Sequence, residues 1–192
     1  RKVVQAGIDA LKAVWHRGAV DADGKTGDGA GIHVQIPVPF FYDQIERTGH
    51  TPRMDELMAV GQVFLPRTDF GAQETCRTIV ETEVLRMGYY IYGWRHVPVN
   101  VSCLGEKANA TRPEIEQLLV SNSKGVDEET FERELYVIRR RIEKAAQSAG
   151  IHGLYLASLS CRSIIYKGMF LAEDMSEFYP DLKDERFESA FA

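Results

Sequence analysis

The sequence predicts an α+β fold, with helices packed on antiparallel sheet. Three observations carry this reading. Strand-like and helical patterns interleave without the strict βαβ alternation of a doubly wound parallel sheet. Two runs with strand character, 154–159 and 163–169, flank Ser160-Cys161-Arg162 and read as a hairpin. A long amphipathic helix from Asp127 to Ala149 presents one apolar stripe, Phe131, Leu135, Ile138, Ile142 and Ala146, able to cover a sheet face.

The remaining elements follow in order. Val4, Ile8, Leu11, Val14 and Trp15 recur at helical spacing and predict a helix over 3–15. His16 and Arg17 then read as a cationic last turn that complements the helix dipole, with Gly18 as the left-handed residue closing it. Gly18, Gly24, Gly27, Gly29 and Gly31, with Asp21, Asp23 and Asp28 among them, mark a tightly turned loop. Ile32, Val34 and Ile36 alternate with His33 and Gln35, a half-buried strand stopped by Pro37. Phe40, Phe41 and Ile45 suggest a short helix, and 57–65 a second strand. Residues 70–87 read as a helix with Cys76, Ile79, Val80, Val84 and Leu85 inward. Residues 89–101 are rich in aromatic and β-branched side chains and read as strand. The stretch 113–120 stays open: Leu118-Leu119-Val120 suits a buried strand, whereas the flanking glutamates suit a helix. Asp127 fits the N-cap of the long helix and Gly150 its stop. A short helix over 172–178 precedes Tyr179-Pro180-Asp181. No repeat and no Pro-, Gly- or Ser-rich linker interrupts the chain, so residues 1–192 are expected to be part of a single domain.

The 192 residues include 23 Lys plus Arg and 28 Asp plus Glu, a net charge of −5, with 44% hydrophobic residues. That apolar content supports a real core and excludes disorder. An acidic chain without a Lys/Arg block is poorly suited to a phosphate backbone, so no nucleic acid is expected as partner. No apolar run reaches the ~18 residues of a membrane span; no membrane contact and a cytoplasmic location are expected. Cys76, Cys103 and Cys161 are far apart in sequence, neither a disulfide framework nor a metal or cluster ligand set, and are expected to be reduced. His33, His50, His96 and His152 stand without a second ligand at metal spacing, so no metal site is expected. Both ends look cut: the chain opens on Arg1-Lys2-Val3-Val4 without Met and enters a helix at once, and it closes on Ser189-Ala190-Phe191-Ala192. A piece of a longer protein is expected.

The Gly/Asp loop is the most specific feature, and it contains a decoy. Ala19 to Thr26 fits a relaxed phosphate-loop pattern, but a helix precedes and a strand follows, the reverse of what that loop needs. Asp21 and Asp23 would also repel phosphate. Gly27-Asp28-Gly29-Ala30-Gly31 misses the dinucleotide spacing. Arg139-Arg140-Arg141 reads as a solvated helix face pairing with Glu132, Glu134 and Glu143. Tyr89, Tyr90, Tyr92 and Trp94 read as an aromatic sheet face packed on a helix. No complete catalytic constellation is present.

Several segments together carry a resemblance. Trp15-His16-Arg17-Gly18-Ala19, Lys25-Thr26-Gly27-Asp28-Gly29-Ala30-Gly31-Ile32, Ser163-Ile164-Ile165-Tyr166-Lys167-Gly168-Met169 and Phe178-Tyr179-Pro180-Asp181-Leu182 resemble the N-terminal glutaminase domain of the glutamate synthase family's large (alpha) subunit, a class II glutamine amidotransferase. Val60-Gly61-Gln62-Val63-Phe64-Leu65-Pro66, Gly88-Tyr89-Tyr90-Ile91-Tyr92-Gly93-Trp94 and Arg139 to Lys144 extend it over essentially the whole chain. The resemblance implies an N-terminal-nucleophile αββα sandwich, incomplete at both ends. It implies glutamine as substrate, hydrolysed to supply ammonia that is channelled to a flavin site converting 2-oxoglutarate to glutamate. FMN and a 3Fe–4S cluster are implied in the full-length subunit and none within this segment. The remaining domains of the same chain are implied as partners. A small FAD-containing subunit is implied where NADPH is the electron donor. The family's nucleophile is an N-terminal cysteine with its own α-amine as base, which would precede Arg1. Its substrate-clamping Arg motif and Asn-Gly oxyanion motif would fall beyond Ala192, so no catalytic residue is assigned and the fragment alone is expected to be inactive. Site-supporting roles are implied for Arg17, Gly18, Asp28, Gly29, Gly31, Tyr166, Lys167 and Gly168. The alternatives are a free-standing class II amidotransferase subunit serving another synthase and a non-catalytic domain that kept the fold.

Overall fold

A computed structural model describes residues 1–192, the side chain of Arg17 excepted. In chain order the elements are α1 (Lys2–Ala13), β1 (Ala30–Gln35), α2 (Val38–Arg47), β2 (Met58–Leu65), α3 (Phe70–Arg86) and β3 (Tyr90–His96). Then come α4 (Glu106–Thr111), β4 (Glu114–Ser121), α5 (Glu128–Ser148), β5 (Tyr155–Ser160), β6 (Ser163–Gly168) and α6 (Met175–Phe178). Short 3-10 turns span Trp15–Arg17, Val101–Cys103, Ala172–Asp174 and Pro180–Lys183. The chain forms two compact units: residues 1–41, 97–112 and 165–192 make one, and residues 42–96 and 113–164 the other. No helix among the described residues is long and apolar enough to cross a membrane.

The second unit is built on an antiparallel sheet in the order β3-β4-β2-β5. Ala59, Val63 and Leu65 of β2 join Leu118, Val120 and Leu156 in a core closed by Cys76, Val80 and Val84 of α3 and Phe131, Leu135, Ile138 and Ile142 of α5. The α5 stripe is buried as its spacing predicts. Asp127 caps this helix, its Oδ1 accepting from the Thr130 amide at 2.9 Å, and Gly150 ends it at φ +68°. The open stretch 113–120 is a strand. Glu116 is tolerated in that buried strand because Arg77 of α3 donates to both its oxygens, Nε at 2.9 Å and Nη2 at 2.5 Å.

Several expectations need correction, three of them among the strands and helices. β3 ends at His96, not Val101, since Pro98 lacks the amide a ladder requires. Leu85 points outward, 57% exposed. Most consequentially, β5 and β6 are not a hairpin: β5 pairs with β2, whereas β6 pairs with β1 in a separate two-stranded sheet. Side chains take the amides of the connection. The Ser160 hydroxyl accepts from the Arg162 and Ser163 amides at 2.9 and 3.1 Å, and Glu132 of α5 accepts from the Ser160 hydroxyl at 2.7 Å and the Cys161 amide at 2.8 Å. The connection's amides are thus satisfied by side chains, Ser160 at its start and Glu132 from α5.

In the first unit, Val4 and Ile8 of α1 and Ile32 and Val34 of β1 are buried, and aromatic rings form a further packed group. Phe40 and Phe187 lie 5.2 Å apart, Tyr166 and Tyr179 4.9 Å, and Phe170 and Phe178 4.8 Å between ring centroids. The two tyrosine hydroxyls in this apolar setting are satisfied: Tyr166 donates to Asp181 Oδ2 at 3.0 Å and Tyr179 to the Lys167 carbonyl at 2.8 Å.

Candidate functional site

The Gly/Asp loop is a small, tightly bonded hairpin in the first unit. Val20 bridges Gly27, the Asp21 amide donates to the Thr26 carbonyl at 2.8 Å, and the Asp28 amide to the Ala19 carbonyl at 3.1 Å. Asp23 organises its tip. Its Oδ1 accepts from the Lys25 and Thr26 amides at 2.9 and 2.7 Å, and its Oδ2 from the Thr26 hydroxyl at 2.5 Å. The Thr26 hydroxyl and these amides hold the Asp23 carboxyl down to about 2. Asp23, one of the two aspartates that argued against a phosphate loop, is thus spent on the loop itself, while Asp21 accepts from Lys107 Nζ.

This loop forms one wall of a cavity of about 400 Å³, whose lining includes Val14 and Trp15 after α1, Gly18, Asp28 and Gly29 from the loop, and Phe170 after β6. Gly29 adopts φ +127°, a conformation that favours glycine. Gly18 is extended at φ −88°, ψ 146°, not the left-handed helix terminator its position after His16-Arg17 suggests. The helix has already ended at Ala13 and a separate 3-10 turn intervenes. A methyl group on Gly18 would lie 3.4 Å from Asp28 Oδ1, in ordinary contact.

Of the expected site-supporting residues, Gly18, Asp28 and Gly29 meet on the cavity wall. Gly31, Tyr166, Lys167 and Gly168 adjoin them along the paired strands without lining the cavity. At Gly31 an added Cβ would stand 3.0 Å from Lys167 Cβ and 3.2 Å from the Tyr166 carbonyl, so the paired strand would have to give way slightly to admit a side chain here. The Tyr166 ring belongs to the buried aromatic cluster. Arg17 lies within the 3-10 turn Trp15–Arg17, and its side chain lies outside the described residues. Sequence reasoning missed Phe170 and Glu173 as wall residues; neither belongs to a periodic or chemical motif.

Asp28 and Glu173 supply carboxylates, glycine-rich backbone supplies peptide dipoles, and Leu11, Val14, Trp15 and Phe170 supply apolar surface. This suits a small molecule that is part polar and part aliphatic. Among the described residues the lining contains no thiol, hydroxyl or imidazole. Cys76 sits in the core beneath α3, Cys103 in a 3-10 turn and Cys161 between β5 and β6. Burial raises all three thiols; for Cys161 burial and then the Glu132 carboxylate push it to about 12. None is a poised thiolate. Among the described residues no three His, Cys, Asp or Glu side chains converge to hold a metal.

Comparison with known proteins bears on this site. The chain is 68% identical over 192 residues to the glutamate synthase [NADPH] large chain of Azospirillum brasilense, covering all of this chain and 13% of that protein. It is 40% identical over 192 residues to the chloroplastic ferredoxin-dependent glutamate synthase of Spinacia oleracea, covering all of this chain and 12% of that protein. Against the glutamate synthase [NADPH] large chain of Bacillus subtilis it is 38% identical over 195 residues, covering 99% of this chain and 12% of that one. It therefore spans about an eighth of the length of these relatives. The family model for class II glutamine amidotransferases matches residues 1–192, spanning both compact units, and the chain belongs to that family.

Proposed function

We propose that the chain is the glutaminase segment of a glutamate synthase, contributing the pocket wall at which glutamine and water become glutamate and ammonia. The ammonia is then passed to a flavin site where 2-oxoglutarate becomes glutamate. The carrying observation is the Gly/Asp loop, which forms one wall of a small-molecule cavity in a chain of this family. Glutamine combines an aliphatic stem with polar ends, and the lining offers both apolar side chains and carboxylate- and amide-bearing groups. The three internal thiols sit elsewhere and are protonated at neutral pH, so the attacking thiolate comes from outside residues 1–192. Arg17, Gly18, Asp28, Gly29, Gly31, Tyr166, Lys167 and Gly168 support the site and carry out no bond making themselves.

This segment belongs with further domains of one long, cytoplasmic polypeptide and, where NADPH is the donor, with a small FAD-containing subunit. The relatives, each roughly eight times longer than the aligned region, favour this over a free-standing amidotransferase subunit. FMN and a 3Fe–4S cluster serve the distant reduction. The residues here do not fit such a cluster, which needs several converging thiolates, whereas Cys76, Cys103 and Cys161 lie in three separate elements.

The test is the full-length protein given glutamine, with and without 2-oxoglutarate and a reductant. Equimolar glutamate and ammonia from glutamine, and doubled glutamate when 2-oxoglutarate is reduced, are expected. A full-length protein that leaves glutamine intact would falsify the reading.

A further inference from the structure

We infer that the segment Gly105–Lys107, which carries no motif and lies outside the cavity lining, is the positioning clamp of the Gly/Asp loop and thereby of the pocket wall. The inference rests on the glutaminase reading for its activity readout and on geometry for the clamp itself.

The hairpin 19–28 is gripped on two sides. On one side, a Cβ at Gly27 would stand 2.5 Å from the Phe170 carbonyl oxygen, so the loop backbone lies directly on the chain after β6. On the other, a Cβ at Gly105 would stand 2.2 Å from both Asp23 Oδ2 and Thr26 Oγ1 and 2.6 Å from the Thr26 amide nitrogen. Those are the two side-chain atoms of the hydrogen bond that closes the loop tip. Gly105 therefore seats the bonded Asp23–Thr26 pair against bare backbone, and Thr26 is only 4% exposed. Two residues on, Lys107 Nζ reaches both oxygens of Asp21, at 3.0 and 2.7 Å.

The clamped hairpin feeds directly into Asp28 and Gly29 on the cavity wall. A loop held at its tip, its base and one flank has few ways to move that wall. Displacement by about an ångström at a site that must align an amide with a nucleophile is enough to cost orders of magnitude in rate. Gly105 is the stronger half of the clamp, because its contacts are close-packed. Lys107–Asp21 is solvent-exposed, where an ion pair contributes little to stability, so its part is to bias the loop's orientation.

The experiment uses the full-length protein with Gly105→Ala, Lys107→Met and Lys107→Arg. Glutamine turnover is expressed per site, with sites counted by stoichiometric labelling with an electrophilic glutamine analogue. Hydrogen exchange is followed at the Asp21, Thr26 and Asp28 amides. The clamp predicts that Gly105→Ala lowers per-site kcat/KM about tenfold or more and accelerates exchange at those three amides. Lys107→Met should give a smaller fall that Lys107→Arg restores. A purely structural role would reduce the number of labelled sites and leave turnover per site unchanged; that result overturns the positioning role. Wild-type exchange in Gly105→Ala overturns the clamp whatever the substrate. Should Gly105→Ala fail to fold, the Lys107 pair decides: equal per-site kinetics in Lys107→Met and Lys107→Arg overturns the inference. A parent protein inert toward glutamine removes the glutaminase reading, while the exchange data still judge the clamp.

Discussion

Glu132 ties α5 to the connection between β5 and β6. It accepts from the Ser160 hydroxyl, the Cys161 amide and, at 3.1 Å, the Cys161 thiol. The same carboxylate, added to burial, keeps Cys161 protonated: at about 12 against an ordinary 9.0, its thiolate population near pH 8 is lower by roughly a thousandfold. Because the raised value belongs to the folded state, this protection disappears on unfolding. Time-resolved alkylation read by mass spectrometry should find Cys161 labelled far more slowly in native than in denatured protein, and Glu132→Gln should accelerate native labelling. Equal native and denatured rates would contradict the assignment. Among the described residues, Glu143 is the one expected glutamate that pairs with the arginine run, taking Arg139 and Arg140, while Arg141 donates to Met87 Sδ. Glu132 is committed to Cys161 and Glu134 to Tyr89 and Lys124. Helical spacing put these carboxylates within range, but partners from other elements took them.

At the scale of elements, α5 was the most legible part of the chain. Its stripe, cap and stop agree, and each acts within a few residues of itself. Phe131 anchors it, fully buried, with its ring centroid 4.8 Å from that of Tyr89. Phe131→Ala should lower unfolding free energy by about 3–5 kcal/mol through lost burial and the cavity left behind. A change below about 1 kcal/mol in chemical denaturation would show that the neighbouring side chains close the gap. β4 is ambiguous in sequence because its flanking glutamates also suit a helix, and the Arg77 guanidinium from α3 makes Glu116 admissible inside the strand. The β5–β6 hairpin was misread for a related reason. Two strand-like runs with a three-residue spacer meet the local rule for a hairpin, yet one run pairs with β2 and the other with β1, partners remote in sequence.

For the whole molecule, the glutaminase reading places residues 1–192 as a wall for chemistry completed by groups elsewhere. Arg17 follows from the resemblance alone, so its contribution is best read in function: Arg17→Ala in the full-length protein is expected to reduce glutaminase turnover. Unchanged kcat and KM would remove its supporting role. The site itself was half legible. The Gly/Asp loop stood out by composition, and Gly18, Asp28 and Gly29 do share one cavity surface. Phe170, Glu173 and the Gly105–Lys107 segment did not stand out, since each reaches the loop across a large gap in sequence. What the sequence determined by itself was therefore local: the α+β class, the limits and inward faces of most elements, the special glycines of the loop, and through its motifs the family. What the tertiary structure alone decided was non-local: which strands share a sheet, which carboxylates are buried and by whom they are matched, and which backbone the loop rests on. The physical reason is range. Capping, periodicity and turn geometry operate over a few residues, whereas pairing and close packing join side chains whose proximity no interval of sequence encodes.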